Sequence, residues 1–233
     1  MQRLTPETLL RAWEQGRRRH PLDRALLLYS LAAVDVAEPL ADRPLGERNA
    51  ALLQLRASIF GDTLGAFVEC PHCDERLEFS MSVSTLLAQA QGHARCVDVG
   101  GRRFRLPTTR DLALVAQEPD DDTSVTKLLM ALMEHQETAS LAELSSLSPR
   151  VASALEQADP GLEFALNLAC PACMRGWTSS LDVASYVWEE VEARARHLLD
   201  EVHVLAGAYG WSECEILALT DERRAAYLER VMA

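Results

Sequence analysis

Two Cys-Pro-x-Cys pairs, Cys70-Pro71-His72-Cys73 and Cys170-Pro171-Ala172-Cys173, hold four of the six cysteines of this chain. Two thiolates at i and i+3 on a tight turn offer two ligands to one side of a tetrahedral ion. A second such turn completes a Cys₄ shell, the ligand set of structural zinc. Residues 74 through 169, 96 in all, separate the pairs. A shared ion would therefore pin two distant parts of the chain together, which constrains the fold more than any other feature.

The segments around each pair read as strands. Ala66-Phe67-Val68-Glu69 leads into the first turn, and Arg76-Leu77-Glu78-Phe79-Ser80-Met81 leaves it with strict apolar alternation, the mark of a half-buried strand. Leu162 to Leu168 alternates into the second turn, and Trp177-Thr178-Ser179-Ser180-Leu181 leaves it. The expectation is two knuckle hairpins facing each other across one Zn²⁺, with no repeat beyond the knuckles themselves.

The rest is mostly helical in pattern. Thr5-Pro6-Glu7 is a start signal with Pro at the first helical position. Pro21 begins a second helix, and a third ends near Gly61. Residues 37–45, with two prolines, form a connection. Gly100-Gly101 between alternating runs marks a hairpin, and Ser82-Val83 opens a short helix. Asp120-Asp121-Asp122 after Pro119 reads as a solvated acidic break, and Ser148-Pro149 as another helix start. Val183, Val187, Val191, Leu198, Val202 and Leu205 trace one face of a long helix that stops at Tyr209-Gly210. Ser212 and Glu215 fit a capping box. The fold class is thus α+β and α-rich, with amphipathic helices around a split Cys₄ zinc ribbon made of two CPxC knuckle hairpins. Five regions follow: a helical 1–61, a first knuckle and β-hairpin at 62–107, a mainly helical insertion at 108–160, a second knuckle at 161–182 and a helical 183–233.

With 233 residues, 48% of them hydrophobic, the chain can bury a sizeable core. No run suits a membrane span, and Met1 to Glu7 lacks the apolar stretch of a secretory signal. A cytoplasmic location is expected, where paired thiols more often bind metal or do redox work than form disulfides. The net charge is −12, and the basic residues are 22 Arg and one Lys, Lys127. That balance disfavours nucleic acid, which needs cations to displace counterions. The run Arg17-Arg18-Arg19-His20 reads as a solvated helix end.

The competing chemistry is redox. Cys-Pro-His-Cys also occurs in thiol oxidoreductases, where a helix N-terminus activates the thiolate. Here a strand pattern follows Cys73, and a redox site needs no second pair. Unmetallated core thiols are a further alternative. Cys96 and Cys214 read as buried packing residues, and His72 as an exposed turn residue. His197 and His203 are six apart, the wrong spacing for two helix residues to share an ion. There is no phosphate loop, nucleophile elbow or pair of carboxylates to suggest an enzyme or a small-molecule substrate. Trp177, Tyr186, Trp188, Tyr209, Trp211 and Tyr227 crowd the C-terminal third. Core packing explains any one of them, while Trp188, Tyr209, Trp211 and Tyr227 together are candidates for a partner-docking surface.

The ending carries a resemblance. Leu198 to Ala206 runs into Tyr209-Gly210-Trp211-Ser212-Glu213, then Glu215-Ile216-Leu217-Ala218-Leu219 and Arg223-Arg224-Ala225-Ala226-Tyr227-Leu228. This pattern resembles tail-cluster proteins of contractile phages and phage-tail-like injection systems. The N-terminal helices followed by a CPxC knuckle resemble the T-even phage baseplate hub assembly chaperone family. The resemblance implies a non-enzymatic assembly factor or structural component of a baseplate, with baseplate or tail proteins as partners and a place within a tail-like particle. A zinc-ribbon nucleic-acid-binding or regulatory protein, using Arg102, Arg103 and Arg105, is the alternative. A CPHC thiol oxidoreductase is the third reading.

Overall fold

The computed structural model describes residues 4–33, 38–92, 94–118, 120–134 and 140–232. Met1 to Arg3 of the signal-peptide argument, residue 37 of the first connection and Pro119 of the acidic break lie outside them. The chain is α+β and helix-rich, and its described strands form three separate two-stranded antiparallel sheets. No described helix is long and apolar enough to cross a membrane.

Three helices come first: α1 (Pro6–Gly16), α2 (Pro21–Ala32) and α3 (Leu45–Phe60). Thr5 caps α1 by accepting from the Thr8 amide, with Pro6 at the first helical position. The basic run Arg17 to His20 is exposed between α1 and α2, and His20 caps α2. Strands β1 (Thr63–Glu69) and β2 (Arg76–Ser82) form the first hairpin and lead into α4 (Val83–Gln89). Then come β3 (Cys96–Val99) and β4 (Arg102–Arg105), joined through Gly100 and Gly101 at φ 63° and 77°. Both turn positions are left-handed, which is why a Gly-Gly pair sits there.

Helices α5 (Thr109–Val115), α6 (Asp121–Leu132) and α7 (Leu141–Ala158) follow. The second knuckle hairpin is β5 (Phe164–Ala169) with β6 (Gly176–Leu181), and α8 (Val183–Tyr209), α9 (Glu213–Leu217) and α10 (Asp221–Met232) complete the order. Two expectations change here. Asp120 is the N-cap of α6, accepting from the Thr123 amide, so the acidic run is a helix start. Pro149 does not begin a helix: α7 starts at the Ser140–Glu143 capping box and runs through it. Proline in a helix interior removes one backbone bond and crowds the preceding turn. The helix continues because Leu144, Val151 and Leu155, on both sides of Pro149, are held in one apolar cluster.

The buried side chains form two clusters. The larger gathers α1 to α4, the bases of the two knuckle hairpins, α8 and α9 around residues such as Leu52, Leu64, Val83, Phe164 and Val187. The smaller joins Val99 and Phe104 of β3 and β4 to Leu129, Leu132, Leu144 and Val151 of α6 and α7. The seam between them is polar. The α3 N-terminus has no side-chain cap of its own, and Asp159 supplies one from 113 residues away by accepting from the Gly46 amide at 3.0 Å. Beside it, buried Asn49 donates to the Gly161 carbonyl at 3.0 Å and buried Arg48 to the Thr109 hydroxyl at 3.1 Å. Buried polar groups are tolerated when they are paired in this way.

The two knuckle hairpins are copies in a stronger sense than the sequence suggests. Every pair of β5–β6 has its counterpart in β1–β2 one hundred positions earlier, from Leu64↔Met81 and Phe164↔Leu181 to Glu69↔Arg76 and Ala169↔Gly176. The correspondence continues past the strands. Ser82 caps α4 from the Thr85 amide, and Asp182 caps α8 from the Ser185 amide. Val83 and Val183, one residue on, are both buried. The repeat therefore comprises strand, knuckle, strand, cap and first helical turn. The expectation of no repeat beyond the knuckles is corrected accordingly.

Candidate metal centre

Each knuckle is built by the same backbone bonds. The Cys70 amide donates to the Glu75 carbonyl and the Asp74 amide to the Cys70 carbonyl, both at 2.9 Å. In the second knuckle the Cys170 amide donates to the Arg175 carbonyl and the Met174 amide to that of Cys170, again at 2.9 Å. The residue after each second cysteine is left-handed, Asp74 at φ 59° and Met174 at φ 60°. That residue turns the chain back into β2 or β6.

The tips then meet. Cys70 Sγ lies 3.7 Å from Cys173 Sγ, and Cys73 Sγ lies 3.6 Å from Cys170 Sγ. All four sulfurs fall within 4.8 Å of one another. A disulfide would bring two of them to about 2.05 Å, and all four thiols are free. A tetrahedral ion with metal–sulfur bonds of about 2.3 Å puts its ligands about 3.8 Å apart. The four cysteines lie close enough to bind one metal ion. Cys70 and Cys170, each 1% exposed, face inward, while Cys73 and Cys173 are nearer solvent.

Protonation favours a cation at the centre. At Cys170 the Cys173 amide is the strongest influence; against desolvation, and with the Ala172 amide and nearby thiols, it brings the group down to about 7. At Cys73 the Glu75 amide pulls down, but desolvation and the other three sulfurs outweigh it and push the thiol up to about 12. Sulfurs this close resist ionising together until they share a positive charge. A shell of four thiolates leaves no open coordination position, so it stabilises a fold rather than activating water.

No protein-family model matches the chain, and no curated protein or solved structure matches it significantly.

The remaining candidate residues fall in different places. His72 is exposed on the first turn. Cys96 is half-buried and accepts from Arg103 Nε at 2.9 Å, while Cys214 is exposed. Neither is the buried packing residue expected of it. Cys214 lies on the short α9, whose inward positions are taken by Ile216 and Leu217. His197 pairs with Glu201 at 3.0 Å, and His203 is exposed.

The four candidate docking aromatics do not form one surface. Trp188 is 4% exposed, packed so closely on α1 that a methyl group at Gly16 would come within 2.3 Å of its ring. It is a core side chain, because α8 lies against α1 at that point. Tyr209, Trp211 and Tyr227 do group together, with Tyr209 stacked on Trp211 at 4.7 Å and Trp211 edge-on to Tyr227 at 4.9 Å. Tyr209 is 39% exposed.

Arg102, Arg103 and Arg105 sit beside Glu143, Glu134 and Asp111, at 3.7, 3.4 and 2.6 Å. An ion cluster that fastens α10 has no signature in residue spacing. Arg224, 1% exposed, donates to Glu201 at 2.7 Å and also pairs with Asp221. Arg194 and His197 approach the same Glu201 at 3.0 Å. The one available hint is Glu201 itself, an acid on the apolar face of a long helix.

Proposed function

We propose that Cys70, Cys73, Cys170 and Cys173 hold one structural Zn²⁺ per chain, so that the two hairpins form a split zinc ribbon. The observation that carries this reading is the cross-paired sulfur spacing of 3.6 and 3.7 Å, close to the edge of a zinc–thiolate tetrahedron. On this basis the protein is a non-enzymatic assembly factor or structural component of a contractile phage tail or injection-system baseplate, working in the cytoplasm or within the particle. The resemblance of residues 198–228 supports that setting. Several positions of the motif have structural work in this chain: Gly210 ends α8 at φ 68°, Ser212 and Glu215 cap α9, and Arg224 is buried on Glu201.

Two observations weigh against the alternatives. The hairpin arginines that a nucleic-acid face would use each have an acid beside them, which lowers the charge available to phosphate. The CPHC pair lies on a hairpin tip rather than at a helix N-terminus, and its exposed Cys73 is shifted away from thiolate.

Native mass spectrometry of the purified chain tests the metal, with one zinc per chain expected and release only on alkylation or unfolding. A metal-free protein with a reversible Cys70–Cys73 disulfide overturns it. Co-expression with the proteins of a contractile-tail gene cluster, followed by gradient sedimentation, tests the setting. Co-migration with a baseplate intermediate is expected, and sedimentation as a free chain in every combination overturns it.

A further inference from the structure

Phe67 is 76% exposed in the middle of β1. It shares the outer face of the first hairpin with Gly65 and Glu69, and Glu78 lies directly across from it on β2. A side chain added at Gly65 would meet nothing within 4 Å, so the phenyl ring projects beside open space. A half-buried hairpin normally places polar groups on this face.

The second knuckle hairpin supplies an internal reference for that position. One hundred residues on, the counterparts of Phe67 and Glu78 are Asn167 and Thr178, and the Thr178 hydroxyl donates to Asn167 at 3.1 Å. The same solvent-facing site is there filled by a satisfied polar pair. The charges differ as well. Between residues 67 and 78 the first hairpin carries four acids and one arginine, while residues 167–178 carry one arginine and no acid. The one arginine, Arg76, lies 3.4 Å from Glu69 and offsets only that acid.

We propose that the outer face of the first hairpin is a docking surface for a basic protein partner, with Phe67 entering an apolar pocket rimmed by Lys or Arg. This deepens the assembly reading and rests on it. Three physical points carry it. An aromatic ring on a short hairpin loses little freedom on binding, as an anchor should. Glu78 faces the ring across the hairpin, and Asp74 and Glu75 sit at the tip, so the surrounding field attracts cations. The four-cysteine cluster holds the far end of the hairpin, so the face is presented in one orientation.

The test uses the full-length, zinc-supplemented chain and a random peptide library displayed on filamentous phage as the probe. The wild type is panned in parallel with Phe67→Asn, which copies Asn167. The expected result is enrichment of peptides with an apolar residue between Arg or Lys residues. Synthetic copies should bind F67N about tenfold or more weakly, the size of a truncated anchor. Their affinity should fall as salt rises, and Glu78→Lys should weaken them too. Failure to enrich any sequence, enrichment of uncharged or acidic peptides, or equal binding to F67N would overturn the proposal. Self-association of the wild type that F67N abolishes would also overturn it, because the occupant would then be a second copy. Zinc content and melting temperature of F67N should match the wild type. Absent zinc in both would sink the metal reading alone, while the peptide comparison would still judge the face.

Discussion

The two halves of the cysteine cluster share one skeleton and differ in what that skeleton carries. Register, knuckle bonds, left-handed residue, helix cap and first buried valine recur at a spacing of one hundred. Beyond the caps the halves diverge. The first hairpin runs into the seven-residue α4, the second into the 27-residue α8. Helix α8 is tied to α3 by Arg56, which grips Glu190 with two bonds of 2.8 Å, and to α10 through Glu201 and Arg224. What recurs is what the tip requires, and the strands and helices below it are free to differ. One half became the spine of the large core; the other kept a short helix and an acidic outer face with an exposed ring.

If the tip is one shared metal site, damage to either half must have the same consequence. Cys70→Ser and Cys170→Ser should each abolish stoichiometric zinc and cost several kcal/mol of stability, since metal binding to such sites is coupled to folding. Matched losses in zinc content and melting temperature are expected, because the two cysteines are equally buried. A mutant that keeps its zinc and its melting temperature would show that the halves do not share an ion.

A smaller effect should separate the halves. Arg224→Ala removes a cation from buried Glu201, although Arg194 and His197 remain beside it. Breaking a buried pair from one side costs about 3 kcal/mol. Urea unfolding should register that loss with zinc content unchanged, since α10 braces α8 and not the knuckles. Loss of zinc in this variant would mean that the tip depends on the spine after all.

How much of this is legible in the sequence depends on the range of the interaction that decides it. The knuckles can be read because Cys-Pro-x-Cys states ligand and turn together within four residues, and period-two alternation marks the flanking strands. The extent of the repeat cannot, because Leu64 and Phe164, Ser82 and Asp182, or Phe79 and Ser179 share position and not identity. Pro149 misleads because local chemistry argues for a helix start, while the cluster holding Leu144 and Leu155 acts across the fold. The Asp159 cap on α3 spans 113 residues and leaves no pattern in either segment. Trp188 reads as a surface candidate only because nothing in the sequence says which helix lies over it.

The smallest effect tests the tip itself, where the halves place different residues in one strained conformation. Asp74 and Met174 are both left-handed, at φ 59° and 60°. Such backbone costs an ordinary side chain about 1–2 kcal/mol, and Asp less because its short polar group bonds locally. Glycine relieves the strain but adds freedom to the unfolded chain worth about 0.4–1 kcal/mol. The two terms nearly cancel for Asp74→Gly, which should change stability by a few tenths of a kcal/mol at most. For Met174→Gly the strain is larger, so a gain of about 0.5 kcal/mol is expected. Met174 is 83% exposed, so no packing is lost to offset that gain. Thermal unfolding of the zinc-loaded pair measures the difference directly. Equal shifts, or a larger gain at Asp74, would mean that the second knuckle holds its turn by something other than the conformation it shares with the first.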